Sequence, residues 1–456
     1  MKQILSLLVA LFVAISFAKS SNAGGHDVYG PWPVTLNGYG GDKTNSTSYS
    51  GQIARHALHD SLKSLASKGD VAEMMAYFSG SDKNKPIIGP SSKDDFVFKQ
   101  TLMNELSKGK NLSGKIYKGI INGWPGGMTG PEVLEFMIKK AALAPKGFDA
   151  STGYNYPQLI SKFTMGAVFY NQAVDAYLDE KLDADVKPNN KAYKDGAHYT
   201  GKEHVWDEAW GYWGAAAHTL RLTAEQSYNV AKKKDMTSAD FNGDGFVDMK
   251  SEYTFAHAYY AASFDKGGKT KYLETITKAF IHGREVIASA NGRSLNFDER
   301  TKLLSHRDTI VDNWEKVIAE AVFKYAGSVY KDMGKLENDS SDKNFSNYAK
   351  HWGELKGFAL ALQCGKENLG ETAVKLNRMM GYGPVLMNAS QVVSVDSSGN
   401  FVKDQALEWD DYKLYMLKIQ KLMMDQFGVE AKVNDQLADM SDLAAKLGSS
   451  DTAEND

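Results

Sequence analysis

An all-α fold, an antiparallel helix bundle, follows from three features of the sequence. Apolar residues recur at three- and four-residue spacing in segment after segment. Only ten prolines interrupt 456 residues, which suits long helices. Strand patterns are scarce, QVVSVDSSGNFV at 391–402 being the one candidate hairpin.

The first 23 residues, MKQILSLLVALFVAISFAKSSNA, combine a charged start at Lys2, an apolar run from Ile4 to Ala18 and small residues after it. That is the layout of a secretory signal peptide, cleaved after Ala18 or Ala23. The run is shorter than the ~18 apolar residues a membrane anchor needs, and no cysteine near the cleavage site offers a lipid attachment point. The expected location is a periplasm or the outside of a cell. No later stretch is apolar enough to span a bilayer, so no transmembrane segment is expected in the mature protein. With one cysteine, Cys364, it has no internal disulfide and must rest on a large core. Net charge is −3, or −5 without residues 1–23, which carry Lys2 and Lys19 and no acid. A mild acidic balance is not the basic face that nucleic acid requires.

Residues 24–48, rich in Gly, Pro, Asn, Ser and Thr, read as an irregular lead-in. Residues 49–447 read as the helical domain, with helical patterns near 50–65, 96–108, 131–142, 157–182, 203–233, 250–263, 270–290, 308–333, 343–365, 368–380, 406–427 and 436–447. Breaks rich in Gly, Pro, Asn and Asp separate them at 123–132, 185–202 and 336–344. The polar tail 448–456 is expected to be disordered.

The densest chemistry lies in EHVWDEAWGYW, residues 203–213. At 100° per residue, Trp206, Trp210 and Trp213 share one face, which reads as core. His204, Asp207, Glu208, Gly211, Tyr212, Ala215 and His218 share the other. A second segment, HWGELKGFALALQC at 351–364, repeats W-x-E-x-x-G-(Y/F)-x-x-A at an offset of 146. Upstream, 167–178 resembles 321–332 at an offset of 154. The two matches predict an internal duplication, with halves at roughly 49–235 and 253–447. Packed by pseudo-symmetry, the halves would bring Glu208 and Glu354 together beside small residues.

Three readings of those acids stand open. They are structural, neutralised by Arg or Lys. They form a metal site for iron, zinc or copper, with His204, Asp207, Glu208, His351 and Glu354 as ligands from facing helices. Or they hold a polar ligand or act as a catalytic pair. His204 and His351 are out of register in the repeat. Arg55, His56 and His59 form a secondary polar cluster or lie on the helix surface, and Cys364 reads as buried and inert.

DFNGDGFVDMKSE, starting at Asp240, is sharper. Asp240, Asn242 and Asp244 stand at positions one, three and five of an EF-hand-like loop, Gly245 at six, Phe246 with its carbonyl at seven, Val247 at eight and Asp248 at nine. Position twelve, where a bidentate Glu belongs, is Ser251, with Glu252 one place later. Calcium is the expected cation, held weakly, in a clip between the halves at 240–252.

The order S-G-Q-x-x-R at 50–55, Y-P-Q-L-I at 156–160, M-G-A-V-F-Y-N-Q at 165–172 and E-H-x-W-D-E-A-W-G-Y at 203–212 resembles the bacterial family of the domain of unknown function DUF4856. That resemblance implies an exported protein and no established activity. More loosely, a duplicated bundle with H-x-x-E at His351–Glu354 is similar to the imelysin-like proteins, which are linked to iron uptake and were once regarded as peptidases. Ala349 and Lys202 stand where those proteins carry Gly two places before the His. H-E-x-x-H, G-x-S-x-G and P-loop motifs are absent. The expected function is an exported calcium-binding helical protein, of the kind that serves as a periplasmic binding protein in metal acquisition. Its partner is a metal ion or small ligand, with or without an envelope protein. The alternatives are a metal-dependent hydrolase or peptidase using the same acids, and a surface interaction protein.

Overall fold

The structure is a computed structural model describing residues 26–80, 84–89, 95–365 and 369–447. The expected signal peptide at 1–23 and the expected disordered tail at 448–456 lie outside the described residues.

The fold is all-α, as the sequence predicts: about 56% helix with two small two-stranded sheets. In chain order come α1 (Ser50–Leu65), α2 (Val71–Phe78), α3 (Met103–Leu106), α4 (Gly130–Leu143), the pair β1 (Phe148–Asp149) and β2 (Tyr154–Asn155), and α5 (Tyr156–Thr164). α5 continues to Glu180 through wide π turns at Met165–Tyr170 and Gln172–Glu180. There follow α6 (Gly201–Trp213), α7 (Ala224–Ala231), α8 (Met236–Ala239), α9 (Ala256–Asp265), α10 (Tyr272–Ser289), α11 (Phe297–Asn338), α12 (Asp342–Leu362) and α13 (Glu371–Met380). The hairpin β3 (Ser390–Val395) and β4 (Phe401–Gln405), α14 (Trp409–Phe427) and α15 (Met440–Leu447) complete the described chain.

Local chemistry sets the ends of the main helices. Thr200 caps α6 in a reciprocal box with Glu203, and Gly214 ends it at φ +79°, a conformation only glycine enters freely. Asn296 and Glu299 make the same box for α11, whose 42 residues extend about 63 Å. The 203–233 pattern is therefore two helices and not one, because Gly214 breaks it. Of the expected 96–108 helix only Met103–Leu106 forms, since Val97 and Lys99 bond the backbone of Val247 instead. The 250–263 pattern begins at Ala256, the residues before it being the exit of the 240–252 loop. The hairpin near 391–402 is present, with a register irregularity between Val392 and Ser394.

α11 is the central spine, packed by α10, α12 and α14. The α5 helix is a second one. Its first half lies on α12, where Gly166 meets Ala361 so closely that a β-carbon would overlap it, and its second half carries α6. One continuous apolar core runs from Tyr29 in the lead-in to Ala431 near the end, so the two sequence halves share their interior. Among the described residues no helix is long and apolar enough to cross a membrane.

Candidate functional site

The aromatic side of α6 is core. Trp206, Trp210 and Trp213 are at most 1% exposed. The Trp206 indole donates to the Phe280 carbonyl at 2.7 Å, Tyr29 stacks on Trp210 at 4.2 Å, and Trp213 meets Trp314 edge-on.

The acidic side divides into two environments. Glu203 and Asp207 are fully buried with Arg284 of α10. Arg284 Nε donates to Asp207 Oδ1 at 3.0 Å, Nη1 to Glu203 Oε1 at 3.3 Å and Nη2 to the Ser46 hydroxyl at 2.7 Å. The Tyr29 hydroxyl and the Ser48 N–H donate to Asp207, and the Thr35 hydroxyl and the Thr200 N–H donate to Glu203. Burial opposes the Arg284 cation, but Asp207 and Glu203 outweigh it and hold its pKa above the ordinary value. Such a network is stable only when every lone pair and N–H is used. Here it fastens the irregular residues 29–48 across α6 and α10. Asp207, a candidate metal ligand, is thereby committed to structure.

Glu208 lies one position on, in a half-buried polar pocket. Gln52 Nε2 donates to its Oε1 at 2.8 Å, and His204 Nε2 stands 3.7 Å from Oε2. Burial lowers His204 to about 4, and Lys194 and Lys110 add to the fall despite Glu208. Glu354 is housed elsewhere. The Tyr325 hydroxyl donates to its Oε1 at 3.1 Å, and His351 pairs with Asp332 of α11. α6 and α12 make no extended contact, because the α5 helix carries one on each half. The expectation that Glu208 and Glu354 face each other across the halves is corrected accordingly. His204, Asp207, Glu208, His351 and Glu354 do not form one site, and among the described residues no three His, Cys, Asp or Glu side chains cluster to hold a metal ion as they stand.

What the repeated motif does share is its glycine. A β-carbon at Gly211 would come within 2.8 Å of Gln52 and Tyr49, and one at Gly357 within 2.5 Å of Lys162. Each glycine seats a neighbouring helix, α1 in one case and α5 in the other.

Arg55, His56 and His59 of α1 lie inside the protein and not on its surface. His56 is fully buried, 3.1 Å from the Gly211 carbonyl, and burial lowers it to about 3. His59 bridges Asp60 and Ser161, and Arg55 donates to the Asn111 and Gly51 carbonyls. Cys364 is buried, with its thiol pushed up by burial, and donates to the Leu360 carbonyl. His218 bonds the Ser238 carbonyl and stacks on Phe241.

The 240–252 loop is wound tightly. Asp240 Oδ1 accepts from the N–H groups of Gly243 at 2.9 Å and Asp244 at 3.1 Å, and Oδ2 from Gly245 at 2.9 Å. Asn242 and Asp244 continue the pattern two residues on. Gly243 and Gly245 adopt φ of +74° and +85°. Val247 forms a parallel bridge with Phe98, through bonds of 2.8 and 2.9 Å to Val97 and Lys99. Asp248 accepts from Gln100 at 2.8 Å. Glu252, 3% exposed, turns inward and accepts from the N–H groups of Asn242 at 3.2 Å and Asp248 at 2.7 Å. Burial, with Asp240 and Asp248 adding like charge, raises its pKa. Ser251 is bonded through its backbone, its carbonyl receiving the Ala217 N–H. The elements joined are the short α8 and α9, not the Trp-rich helix itself, since α7 intervenes.

Sequence reasoning missed two partners of these residues. Arg284 lies in an otherwise ordinary amphipathic helix, and Lys162 reads as one polar position among many. Only their burial distinguishes them.

No curated protein and no solved structure matches the chain. The family model that matches covers residues 143–295, from the end of α4 to the residues before α11, and so takes in α6, the 240–252 loop and Arg284. Residues 143–295 match the model of the family described as domain of unknown function (DUF4856).

Proposed function

We propose that this chain is an exported binding protein whose 240–252 loop takes a structural calcium ion. The observation that carries the reading is Glu252: a buried carboxylate turned into a loop that already holds Asp240, Asp244 and Asp248. The available donors are all oxygens, the set a hard cation prefers. Asp240, Asn242, Asp244, the Phe246 carbonyl, Asp248 and Glu252 would hold the ion, with Glu252 taking the part that Ser251 is too short to play. Lys99 already meets Asp244 at 3.0 Å, and a bound calcium ion would supply further positive charge to offset the remaining acids. The flanks support a clip: Val247 ties the loop to 97–99, and 253–256 lead directly into α9.

The leader-like first 23 residues support export, and calcium modules outside the cytoplasm work at affinities of about 10⁻⁴–10⁻³ M. The shared seating of helices at Gly211 and Gly357 supports a duplicated origin for α6 and α12. Transition-metal capture and metal-dependent hydrolysis by the same acids lose ground as readings, because Asp207, His351 and Glu354 have separate partners, although His204 Nδ1 and Glu208 Oε2 have no hydrogen-bond partner.

Calorimetric titration of calcium into chelator-stripped mature protein tests the proposal. Saturable binding that disappears in Asp240→Ala and Glu252→Gln is the expected result. No heat up to millimolar calcium, or equal binding in Asp240→Ala, refutes it.

A further inference from the structure

A cavity of roughly 330 Å³ opens between α1, α5 and the segment leading into α9. That size falls at the small end of metabolite sites. Four lysines line it, Lys63, Lys162, Lys232 and Lys233, against the single carboxylate of Asp60, which is already bonded by His59 at 3.1 Å.

Lys162 is the unusual member. Its side chain projects from α5 past Gly357 and is 4% exposed. The ammonium group rests 5.3 Å from the Tyr260 ring centre and 5.8 Å from that of Phe358. Burial, with Lys63 and Lys232 nearby, holds its pKa well below that of an ordinary lysine, although Glu354 works the other way. Glu354 itself is engaged by Tyr325. Burying a lysine among lysines is costly unless an opposite charge is supplied. Lys233 turns its ammonium toward the Phe98 ring, but stem packing does not account for Lys63 and Lys232 standing close to the Lys162 charge. Thr254 belongs to the wall of the same space, is 1% exposed, and its hydroxyl has no hydrogen-bond partner. Buried hydroxyls are normally satisfied.

We propose that this cavity binds a small organic oxyanion, a carboxylate or a phosphate ester. The charged end meets Lys63, Lys162 and Lys232 and takes the Thr254 hydroxyl as a donor. The apolar remainder lies on Tyr259 and Phe255. The site is independent of the calcium loop, although Thr254 follows that loop by two residues.

The test is calorimetric titration of phenyl phosphate and, separately, benzoate into mature protein in calcium-containing buffer, with Lys232→Ala, Thr254→Val and Lys162→Met as variants. Saturable binding of at least one probe is expected, weakened about tenfold or more by Lys232→Ala and by Lys162→Met. The preferred probe identifies the headgroup. If Lys162→Met does not fold, Lys232→Ala and Thr254→Val, which remove exposed or wall groups, decide the matter. Failure of both probes to saturate, or unchanged affinity in the folded variants, overturns the proposal.

Discussion

Arg284 on α10 donates to Asp207 on α6 at 3.0 Å, and neither side chain has any exposure to solvent. The pair stands at the centre of the acid-rich stretch that dominates the sequence, and its bonds are all to the protein itself. Removing one partner leaves the other charge buried and alone. Asp207→Ala or Arg284→Met should each cost about 3–5 kcal/mol of unfolding free energy. Urea denaturation reads this directly, and a loss below about 1 kcal/mol would show that the network carries little.

The helical architecture was legible because apolar spacing at helical period survives any detail of packing. The stretch 203–213 showed a packed Trp face for the same reason. The partners of its acids were not legible. Glu203 and Asp207 meet an arginine 81 and 77 positions away and a lead-in with no periodic pattern, and spacing along one helix says nothing about which distant cation arrives. The expected meeting of Glu208 and Glu354 failed for a related reason. A shared motif fixes what each helix does locally, seating a neighbour at Gly211 or Gly357, but not that the two helices adjoin. The 240–252 loop was readable as a tight acidic turn because its residues are consecutive, although the inward turn of Glu252 needed the fold.

Gly283 marks a close approach of α10 to α6, where a methyl group would run into the Trp206 indole. The ring is buried and bonded to Phe280, so it has little room to move. Gly283→Ala should destabilise by about 1–3 kcal/mol through overpacking, even though alanine favours helix. A thermal melt that rises on this substitution would contradict the packing described.

His56 gives the protein an acid-sensitive core. Its folded pKa of about 3 lies below the value of 6.5 in an unfolded chain, because burial disfavours the charged ring and His59 adds to it. The associated stability is therefore whole above pH 6.5 and is lost as pH falls from there toward 3. The expected slope is about 1.4 kcal/mol per pH unit for this one proton. His204, lowered to about 4, adds to the same window. Unfolding free energies measured at about pH 7 and pH 5 should converge in His56→Gln relative to the parent. An identical pH dependence in the variant would show that His56 is not the titrating group.

The metal content of the protein, purified without chelators and read by elemental mass spectrometry, tests the division of roles most directly. The expected result is about one calcium per chain, lost in Asp240→Ala, with no stoichiometric transition metal. Stoichiometric iron, zinc or copper that disappears on Glu208→Ala and Glu354→Ala would contradict that division, and would return Glu208 and Glu354 to the centre of the function.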